Sequence, residues 1–438
     1  MNMEVPRLKL FPVTAGISSE GHLELGGCDA VNMAGQFGTP LYVFDETTIR
    51  EQCRLYQGEF SSHYPEVTVL YACKAFSNMA VLQIIRDEGL GLDAVSGGEL
   101  AVARAAGFPL ERVFLHGNNK SDAELGLALD WGVGRVVVDN LDELGRLATL
   151  TLGKKQSVDI LLRLSPGIDP HTHKYNTTGI VDSKFGLARF NWETAVKQAM
   201  DASYLNLTGI HIHLGSSLFE TQPYLDGIGV VLDFAAKLKQ ELSFTLKEFD
   251  IGGGFAAQYE IAKPAPPTTE FAVAVTTAVK DGCAERGLDL PRLIIEPGRS
   301  IVCRAGVALY TAGVVKDIPG VRRYVSVDGG MGDNIRYALY GARHEAILAN
   351  KPQAEATTMV TISGKYCESG DVIISDIVMP EITRGDIISV PDCGAYCLPM
   401  ASNYNAALKP AVVMVNQGKA RLIRSRESFE DLTRHDMV

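Results

Sequence analysis

The sequence lacks the features that mark membrane, secreted and nucleic-acid-binding proteins. No apolar run among its 438 residues reaches the length of a membrane span, and residues 1–11 mix Glu4, Arg7 and Lys9 into short apolar stretches. Because a signal peptide needs an uninterrupted apolar segment, we expect none here and predict a cytoplasmic protein with no membrane partner. Basic runs are also lacking and the net charge is -11, which argues against nucleic acid as a partner.

Cysteine is present but does not form a pattern. The eight cysteines are scattered, and most of them lie inside apolar segments. Cys393 and Cys397 could form half of a metal site, but no second pair follows at zinc spacing. We therefore expect free, mostly buried thiols, no disulfide framework and no metal.

What the sequence does contain is a regular alternation of two kinds of segment. Short apolar runs bounded by turn residues alternate with amphipathic stretches of helical length. The runs are residues 67–73, 90–95, 113–115, 135–138, 158–164, 207–213, 246–251 and 292–295. Eight alternating βα units predict an α/β protein with a (β/α)8 barrel over residues 45–300.

The rest of the chain predicts a second domain. Residues 1–44 and 301–438 alternate polar and apolar residues, with glycine and proline between the runs. The clearest predicted strands there are 324–328, 358–362, 386–390 and 411–415. We expect a β-rich domain formed by the C-terminal part, to which the N-terminal segment adds a strand.

Polar and glycine-rich groups follow the predicted barrel strands at one end only. In a (β/α)8 barrel the functional residues gather at the C-terminal ends of the strands. In strand order, the candidates there are Lys74, Asp93, His116, Arg163, His213, Gly252, Gly253, Gly254 and Glu296. This asymmetry indicates a functional site.

Lys74 is the most informative of these candidates. It follows a β-branched, apolar strand, where a lysine that loses water also loses part of its preference for the charged form. A neutral amine can attack a carbonyl and form a Schiff base. The alternative for this residue alone is a lysine whose stem lies on the strand end while its ammonium reaches water.

A phosphate site is predicted near the last three strands. Three consecutive glycines after the seventh strand let backbone N–H groups approach an anion closely. Ser216 and Ser217 follow the sixth strand and add hydroxyl donors. The loop after the eighth strand, Glu296-Pro297-Gly298-Arg299, adds a guanidinium group.

Two histidines leave alternatives open. His211 and His213 are two residues apart on a predicted strand, so they could be a metal pair, core residues, or in the case of His213 the aromatic wall of a cofactor pocket. Pyridoxal 5'-phosphate accounts for all the candidates together, with an aldehyde for Lys74, a phosphate for the glycines and a ring face for His213. Glu296 would then pair with the pyridine nitrogen and keep it protonated.

Several motifs carry a resemblance to a known family. They are Tyr71-Ala72-Cys73-Lys74-Ala75, Asp93-Ala94-Val95-Ser96-Gly97-Gly98-Glu99, His116-Gly117-Asn118-Asn119-Lys120, Asp182-Ser183-Lys184-Phe185-Gly186, His213-Leu214-Gly215-Ser216, Asp328-Gly329-Gly330-Met331 and Cys367-Glu368-Ser369-Gly370-Asp371. Through these motifs the chain resembles the alanine-racemase-like, fold-type III group of pyridoxal-phosphate decarboxylases. Within that group it is similar to the diaminopimelate decarboxylases over nearly its whole length.

The resemblance implies a reaction and further site residues. The reaction is decarboxylation of meso-2,6-diaminopimelate to L-lysine, with Lys74 holding the cofactor and Cys367 of a second subunit supplying a proton. Substrate binding is implied for Arg299, Arg336, Tyr340, Glu368 and Tyr396, of which Arg299 and Tyr396 also contact the cofactor. The implied assembly is a homodimer with a shared active site.

Some positions depart from the commonest family pattern, and rival functions remain. Cys73 and Phe76 beside the lysine, and Phe255-Ala256-Ala257-Gln258 after the glycines, differ from the frequent residues, which changes pocket packing and not chemistry. The nearest rival is a decarboxylase of ornithine, arginine or another diamino acid. A non-catalytic cofactor carrier and a metal hydrolase that uses His211 and His213 are the others.

Overall fold

The computed structural model describes residues 5–168 and 183–438, so Asp182 of the predicted motif lies outside the described residues. The chain forms two compact units. The barrel unit comprises Gln52–Ala256 and Ala265–Gly298, and the β-unit comprises Met1–Glu51, Ala257–Pro264 and Arg299–Val438. Among the described helices, none is both long enough and apolar enough to cross a membrane.

The secondary structure alternates strands and helices through the middle of the chain. The strands are β1 Gly16–Ile17, β2 Leu23–Leu25, β3 Cys28–Asp29, β4 Leu41–Asp45, β5 Val67–Ala72, β6 Gly91–Ala94, β7 Val113–Leu115, β8 Arg135–Val138, β9 Val158–Arg163, β10 Leu205–His211, β11 Glu248–Asp250, β12 Arg292–Ile295, β13 Gly306–Ile318, β14 Arg322–Val327, β15 Ile347–Leu348, β16 Thr358–Ser363, β17 Val372–Met379, β18 Ile387–Val390, β19 Ala411–Asn416 and β20 Lys419–Arg424. The helices are α1 Ala30–Phe37, α2 Glu46–His63, α3 Met79–Asp87, α4 Gly97–Ala105, α5 Asp122–Trp131, α6 Leu141–Lys154, α7 Trp192–Asp201, α8 Gln222–Leu242, α9 Thr268–Glu285, α10 Arg299–Val302, α11 Arg336–Tyr340 and α12 Phe429–Thr433.

Strands β5 to β12 close into a parallel barrel in chain order, which confirms the predicted fold. Apolar side chains from five of these strands form a buried cluster of Leu70, Phe114, Val137, Leu161 and Ile294. Strands buried on both faces read as continuous apolar runs, and this is why the eight barrel strands could be predicted to within two residues at either end.

The helices around the barrel begin and end at residues suited to those positions. The Ser121 side chain accepts a hydrogen bond from the Glu124 N–H, and the Glu124 side chain accepts one from the Ser121 N–H, so α5 begins with a capping box. That helix ends at Gly132, whose φ of 69° is left-handed and costs glycine little. Such local signals fix the spacing of the βα units.

Two predicted strand ends differ in a way that matters for the site. Strand β10 ends at His211, so His213 lies beyond it in a loop. Strand β5 ends at Ala72, and the chain turns through a 3-10 segment, Cys73–Ala75, that carries Lys74. The two histidines therefore do not share a strand face, and Lys74 lies on a turn.

The β-unit contains a nine-stranded sheet with the order β17-β16-β14-β13-β4-β19-β20, in which β18 pairs with β13 and β15. The N-terminal segment contributes a strand as predicted, and this strand, β4, lies between β13 and β19. A small sheet of β1, β2 and β3 and helix α1 pack onto it through a buried apolar cluster. The four clearest predicted strands of this domain correspond to β14, β16, β18 and β19.

Candidate functional site

The barrel unit brings together charged side chains from the ends of four neighbouring strands. Asp93 is on β6, Lys74 follows β5, His116 follows β7 and Glu296 follows β12. Strands β12 and β5 pair in parallel, as do β5 with β6 and β6 with β7. Parallel strands in a barrel end on the same side, so these four residues share one end.

Lys74 is held by a buried carboxylate. Its Nζ lies 3.0 Å from Oδ2 of Asp93, a residue with no exposed surface, while 38% of the lysine side chain is exposed. An opposite charge at this distance favours the charged amine. The structure thus differs from the desolvated lysine that the strand end predicted, because the side chain is partly exposed and the neighbouring strand supplies a counter-charge.

Two histidines flank the carboxylate of Glu296. Nε2 of His116 lies 2.9 Å from Oε1, although the geometry is not that of a directed hydrogen bond, and Nε2 of His211 lies 3.6 Å from Oε2. The two imidazole rings meet edge to face with centroids 5.0 Å apart. His116 also approaches Asp93 Oδ1 at 3.7 Å, so contacts connect Lys74 to Glu296 through Asp93 and His116.

The environment shifts the pKa values of two neighbouring carboxyl groups, Glu296 and Asp250, in opposite directions. Burial opposes ionisation of Glu296, but His116 and His211 outweigh it and hold its pKa well below the usual range. Burial, together with the charge of Glu296, raises the pKa of Asp250 well above its usual range. Glu296 is therefore an anion, and Asp250 holds its proton more tightly than Glu296 does. Burial lowers the pKa of His211 to about 4, so its ring is neutral at pH 7.

Asp250 was not recognised in the sequence. It is the last residue of β11, and one of its oxygens accepts the N–H of Gly252 at 2.9 Å. The other oxygen has no hydrogen-bond partner among the described residues. The strand-end rule would have found Asp250, but the predicted strand extended one residue beyond it, which hid the aspartate inside an apolar run.

The three glycines after β11 are required by space as well as by conformation. A Cβ atom on Gly253 would lie 2.1 Å from the carbonyl oxygen of Glu296, and one on Gly254 would lie 2.2 Å from that of Gly215. Gly252 and Gly254 have φ angles of 72° and 105°. The loop is therefore shaped so that its backbone, without side chains, faces its surroundings.

This glycine loop is tied to the chain that follows β10. The N–H of Leu218 donates to the carbonyl of Gly254 at 2.8 Å, and the hydroxyl of Tyr224 donates to the carbonyl of Gly253 at 2.8 Å. Ser216 and Ser217 precede Leu218 in the same segment. The predicted hydroxyl donors are thus on the segment that is directly bonded to the predicted phosphate loop.

His213 is part of the same loop system and does not pair with His211. Its Nδ1 accepts the N–H of Gly253 at 3.2 Å, which places the ring proton on Nε2. Burial and then the charge of Lys74 lower its pKa well below the usual value, so the ring is neutral. A neutral imidazole beside the glycines and Lys74 suits the predicted aromatic wall more than a metal pair with His211.

Arg163, Pro297 and Gly298 complete the predicted barrel residues. Arg163 is buried, with Nη1 3.7 Å from Oδ1 of Asp139 and its guanidinium 4.6 Å from the ring centroid of Phe185. Burial lowers its pKa. The carbonyl of Pro297 accepts the N–H of Ala72 at 3.3 Å, which fixes the Glu296 loop to the strand that leads to Lys74.

Arg299, Tyr396 and Arg336 lie in the β-unit. The Arg299 guanidinium lies 4.6 Å from the ring centroid of Tyr396 and donates to the hydroxyl of Tyr259 at 2.9 Å. Arg336 is buried at the first turn of α11 with its guanidinium 4.9 Å from the centroid of the Tyr259 ring. Its Nε has no hydrogen-bond partner among the described residues. Tyr340 ends the same helix.

Cys367 and Glu368 lie in an exposed turn between β16 and β17. Cys367 is exposed, whereas the other seven cysteines are buried as free thiols. The Asn405 side chain accepts the Cys367 N–H at 2.8 Å, and the buried Asp371 accepts the N–H groups of Met331 and Tyr366, both at 2.7 Å. The turn is therefore fixed by its backbone while the thiol and the Glu368 carboxylate face outward.

The residues of the barrel unit fit pyridoxal phosphate. A protonated ring nitrogen needs an anionic acceptor, and Glu296 is a buried anion whose Oε1 has no directed hydrogen bond from the described residues. A phosphate needs close approach to a backbone, and the loop around Gly253 and Gly254 leaves no room for side chains. Lys74 supplies the amine for an aldehyde. The ring nitrogen, the phosphate and the aldehyde of the cofactor thus each have a matching group in the barrel unit.

A metal ion is a competing occupant of part of this site. The ligand atoms of His116, His211 and Glu296 lie within 4.8 Å of one another, and all three residues are buried. A cation there would occupy the same carboxylate that a pyridine nitrogen needs. Glu20, His22 and Asp29 form a second, more exposed cluster, and exposed acidic groups are common without a metal.

Comparison with known proteins gives consistent family matches. A sequence profile described as "Pyridoxal-dependent decarboxylase, pyridoxal binding domain" matches residues 46–303, more than half of the chain. The chain is 45% identical to a diaminopimelate decarboxylase of Bacillus subtilis over 426 residues, which cover 97% of each protein. It is 42% identical to one of Synechocystis over 443 residues, 99% of this chain and 94% of the relative.

Solved structures agree with the sequence relatives. A crystal structure of diaminopimelate decarboxylase from M. jannaschii superposes with a TM-score of 0.91 at 32% identity, and covers 97% of this chain and 98% of that one. The same enzyme in complex with L-lysine gives the same values. A lysine/ornithine decarboxylase from Vibrio vulnificus has a TM-score of 0.76 at 23% identity, which shows a shared fold alone.

Proposed function

Because the chain belongs to the diaminopimelate decarboxylase family of pyridoxal-dependent decarboxylases, we propose that it removes carbon dioxide from meso-2,6-diaminopimelate and releases L-lysine. It is thus a carboxy-lyase that acts at the last step of lysine biosynthesis, with pyridoxal 5'-phosphate as its cofactor. The observation that carries this proposal is the line of contacts from Lys74 through Asp93 and His116 to the anionic Glu296.

The barrel residues hold and orient the cofactor. The Lys74 amine binds its aldehyde, and Asp93 keeps that amine in place. Backbone N–H groups of the glycine loop and the hydroxyl of Ser216 take the phosphate, and His213 lies against the ring. The full proposed set is Lys74, Asp93, Arg163, His213, Ser216, Gly253, Gly254, Glu296, Pro297, Gly298, Arg299 and Tyr396.

Glu296 is the main electrostatic contributor. When bound, the cofactor ring accepts the electron pair that is freed as the carboxylate leaves the substrate. The Glu296 anion holds a proton at the ring nitrogen, which keeps the ring a strong electron acceptor. His116 and His211 stabilise that anion, and the raised pKa of Asp250 opposes a second negative charge beside it.

Cys367 supplies the proton that replaces carbon dioxide. Its thiol is exposed on its own chain, and this supports a role in the active site of a second copy. We therefore propose a homodimer with a shared site, in which Cys367 and Glu368 of one subunit act on a substrate bound by the other. Glu368 takes the distal ammonium group of that substrate.

Arginine and tyrosine side chains recognise the second carboxylate of the substrate. Arg299 and Arg336 present planar guanidinium groups that suit a carboxylate, and Tyr340 and Tyr396 add hydroxyl groups. The buried Arg336 Nε, without a partner among the described residues, supports an anionic guest. Ornithine and arginine carry no second carboxylate, so decarboxylation of these amino acids is not favoured.

The compact units and the free thiols support two further parts of the proposal. The cofactor-binding barrel domain spans 45–300, and 1–44 with 301–438 forms the second domain, which corresponds in outline to the barrel unit and the β-unit. All eight cysteines are free, which supports a reducing, cytoplasmic location.

Product identification tests the function directly. The purified chain, supplied with pyridoxal phosphate, is incubated with meso-diaminopimelate, L-ornithine and L-arginine in parallel, and the amines and carbon dioxide are measured. We expect L-lysine and carbon dioxide from the first substrate and at least 100-fold slower release from the others. Putrescine as the main product would favour the rival decarboxylase. Bound cofactor without carbon dioxide release would favour a carrier, and stoichiometric metal with hydrolysis would favour a metal enzyme.

A further inference from the structure

We propose that Tyr259 is a positioning residue that sets both Arg299 and Arg336 for the second carboxylate of the substrate. This inference deepens the proposed function and rests on it. Tyr259 belongs to Ala257–Pro264, a short segment that leaves the barrel sequence after the glycine loop and is part of the β-unit. Nothing in the sequence pattern around it indicates a role.

Tyr259 contacts the two arginines through different parts of its side chain. Its hydroxyl oxygen accepts a hydrogen bond from Nη1 of Arg299 at 2.9 Å. Its ring face lies under the Arg336 guanidinium, with 4.9 Å between Cζ and the ring centroid. One aromatic side chain therefore fixes the relative placement of two guanidinium groups, since the phenol ring is rigid.

The ring is itself held on a further side. His344 meets it edge to face with centroids 5.6 Å apart. Tyr259 is therefore fixed by His344 and Arg336 at its ring and by Arg299 at its hydroxyl.

The Arg336 side chain keeps an unused hydrogen-bond donor, and this makes its contact with the Tyr259 ring informative. Its Nε is buried and has no hydrogen-bond partner among the described residues. A stacked ring holds a guanidinium in place without occupying its N–H groups. Tyr259 therefore orients Arg336 while leaving its donors for an anion.

Two substitutions separate the contributions of the ring and the hydroxyl. Tyr259→Phe removes the oxygen that Arg299 uses and keeps the ring under Arg336, whereas Tyr259→Leu removes both. Tyr324→Phe and Tyr324→Leu are matched controls, because Tyr324 is a half-buried tyrosine of the β-unit whose ring lies 5.9 Å from the Arg322 guanidinium. Neither Tyr324 nor Arg322 belongs to the proposed site.

The readout compares two ligands that differ in one group. L-lysine carries the second carboxylate and cadaverine carries none, and the absorbance of the bound cofactor reports the Kd of each in the loaded protein. For Tyr259→Leu we expect the Kd of L-lysine to rise about tenfold, with the Kd of cadaverine changed less than twofold. For Tyr259→Phe we expect a selective rise of about threefold for L-lysine. Both Tyr324 variants should leave the two Kd values unchanged.

Kinetics give an independent check. KM for meso-diaminopimelate should rise with the Kd of L-lysine while kcat changes less than threefold, because Tyr259 acts on binding and not on the reacting carbon. Equal losses for L-lysine and cadaverine, a fall confined to kcat, or unchanged Kd values would overturn the inference. If Tyr259→Leu does not fold, the selective effect of Tyr259→Phe decides. A parent chain that releases no carbon dioxide from meso-diaminopimelate would instead contradict the proposed function.

Discussion

Among single residues, Lys74 shows how a strand end acquires chemistry. The amine is fixed by Asp93, which is fully buried and whose negative charge has its cation 3.0 Å away. A buried carboxylate without such a partner would be costly. Loss of the lysine would therefore destabilise the fold, and the pair also holds the amine where the cofactor aldehyde is proposed to bind.

Replacing Lys74 with alanine should abolish cofactor absorbance in the visible range together with activity. The substitution removes the only proposed covalent anchor, and it leaves Asp93 without its cation. Visible spectra and carbon dioxide release measure the two effects. Lys247→Ala, which changes an exposed lysine of the barrel unit, should leave both unchanged. Turnover retained by Lys74→Ala would contradict the assignment of the anchor.

His344 provides a prediction about pH and stability. It is buried, neither ring nitrogen is hydrogen-bonded to a described residue, and burial lowers its pKa from 6.5 to about 3. Between pH 6.5 and 3 the unfolded chain binds a proton at this residue that the folded chain does not. Stability is therefore lost as the pH falls below 6.5, by about 2 kcal/mol at pH 5.

His344→Phe should remove this part of the acid sensitivity. Phenylalanine keeps an aromatic ring beside Tyr259 and cannot be protonated. Melting temperatures at pH 7.5 and pH 5 should differ by a few degrees less in the variant than in the parent. His63→Phe, at the half-buried C-terminal end of α2, is the control and should not reduce the difference. An unchanged pH dependence in His344→Phe would show that other groups govern acid unfolding.

At the scale of elements, the loop after β11 connects chain conformation to phosphate binding. Its backbone lies so close to the Glu296 and Gly215 carbonyls that side chains are excluded at two successive positions. The neighbouring segment after β10 is hydrogen-bonded to it. Two strand ends thus form one rigid backbone surface, and its shape depends on glycine more than on any charged side chain.

Gly254→Ala should weaken cofactor binding at least tenfold. The φ of 105° disfavours alanine, and the new Cβ would lie 2.2 Å from the Gly215 carbonyl, so the loop must shift. Titration of the cofactor-free protein with pyridoxal phosphate measures the change in affinity.

Gly229→Ala is the matched control, because Gly229 lies inside α8 with no atom near its Cβ position. The control should bind normally and be more stable by about 0.5–1 kcal/mol. Equal affinity in both variants would remove the loop from the proposed site.

For the whole molecule, the exposed position of Cys367 is the main clue to assembly. A proton donor that faces outward from its own chain suits a site completed by a second copy, and so does the exposed Glu368 beside it. The seven other thiols are buried. Their inaccessibility means that a thiol reagent added to the folded protein should modify Cys367 first.

Mixing inactive chains tests the shared site. Lys74→Ala chains lack the anchor and Cys367→Ala chains lack the proton donor, so each homodimer should be at least 100-fold slower than the parent. In a mixed dimer one site would combine an intact Lys74 with an intact Cys367, and about a quarter of the parent activity should return if chains exchange at random.

Exchange of subunits between the two variants is verified with tagged chains. Mixing Lys74→Ala with Lys74→Ala,Cys367→Ala chains is the control and should restore nothing. Verified exchange without recovery would argue that each chain uses its own cysteine.

Much of the fold could be predicted because local pattern and burial coincide in it. The barrel strands are short apolar runs, and the helices between them carry caps such as Ser121 and Gly132. Lys74, Glu296 and the glycines could be predicted because the C-terminal strand ends of a barrel converge. Asp250 was missed because the predicted strand ran one residue past it. Tyr259 could not be predicted, since it takes its role from contacts with residues distant in sequence.

The sequence by itself determined the barrel, the β-rich second domain, the family and the candidate residues, since periodicity, strand-end chemistry and motif order are all local properties of the chain. Only the tertiary structure decided the charges. It paired Lys74 with Asp93, lowered the pKa of Glu296 while raising that of Asp250, and placed Tyr259 against two arginines. Protonation depends on burial and on distances between side chains, and these distances are fixed only when the chain has folded.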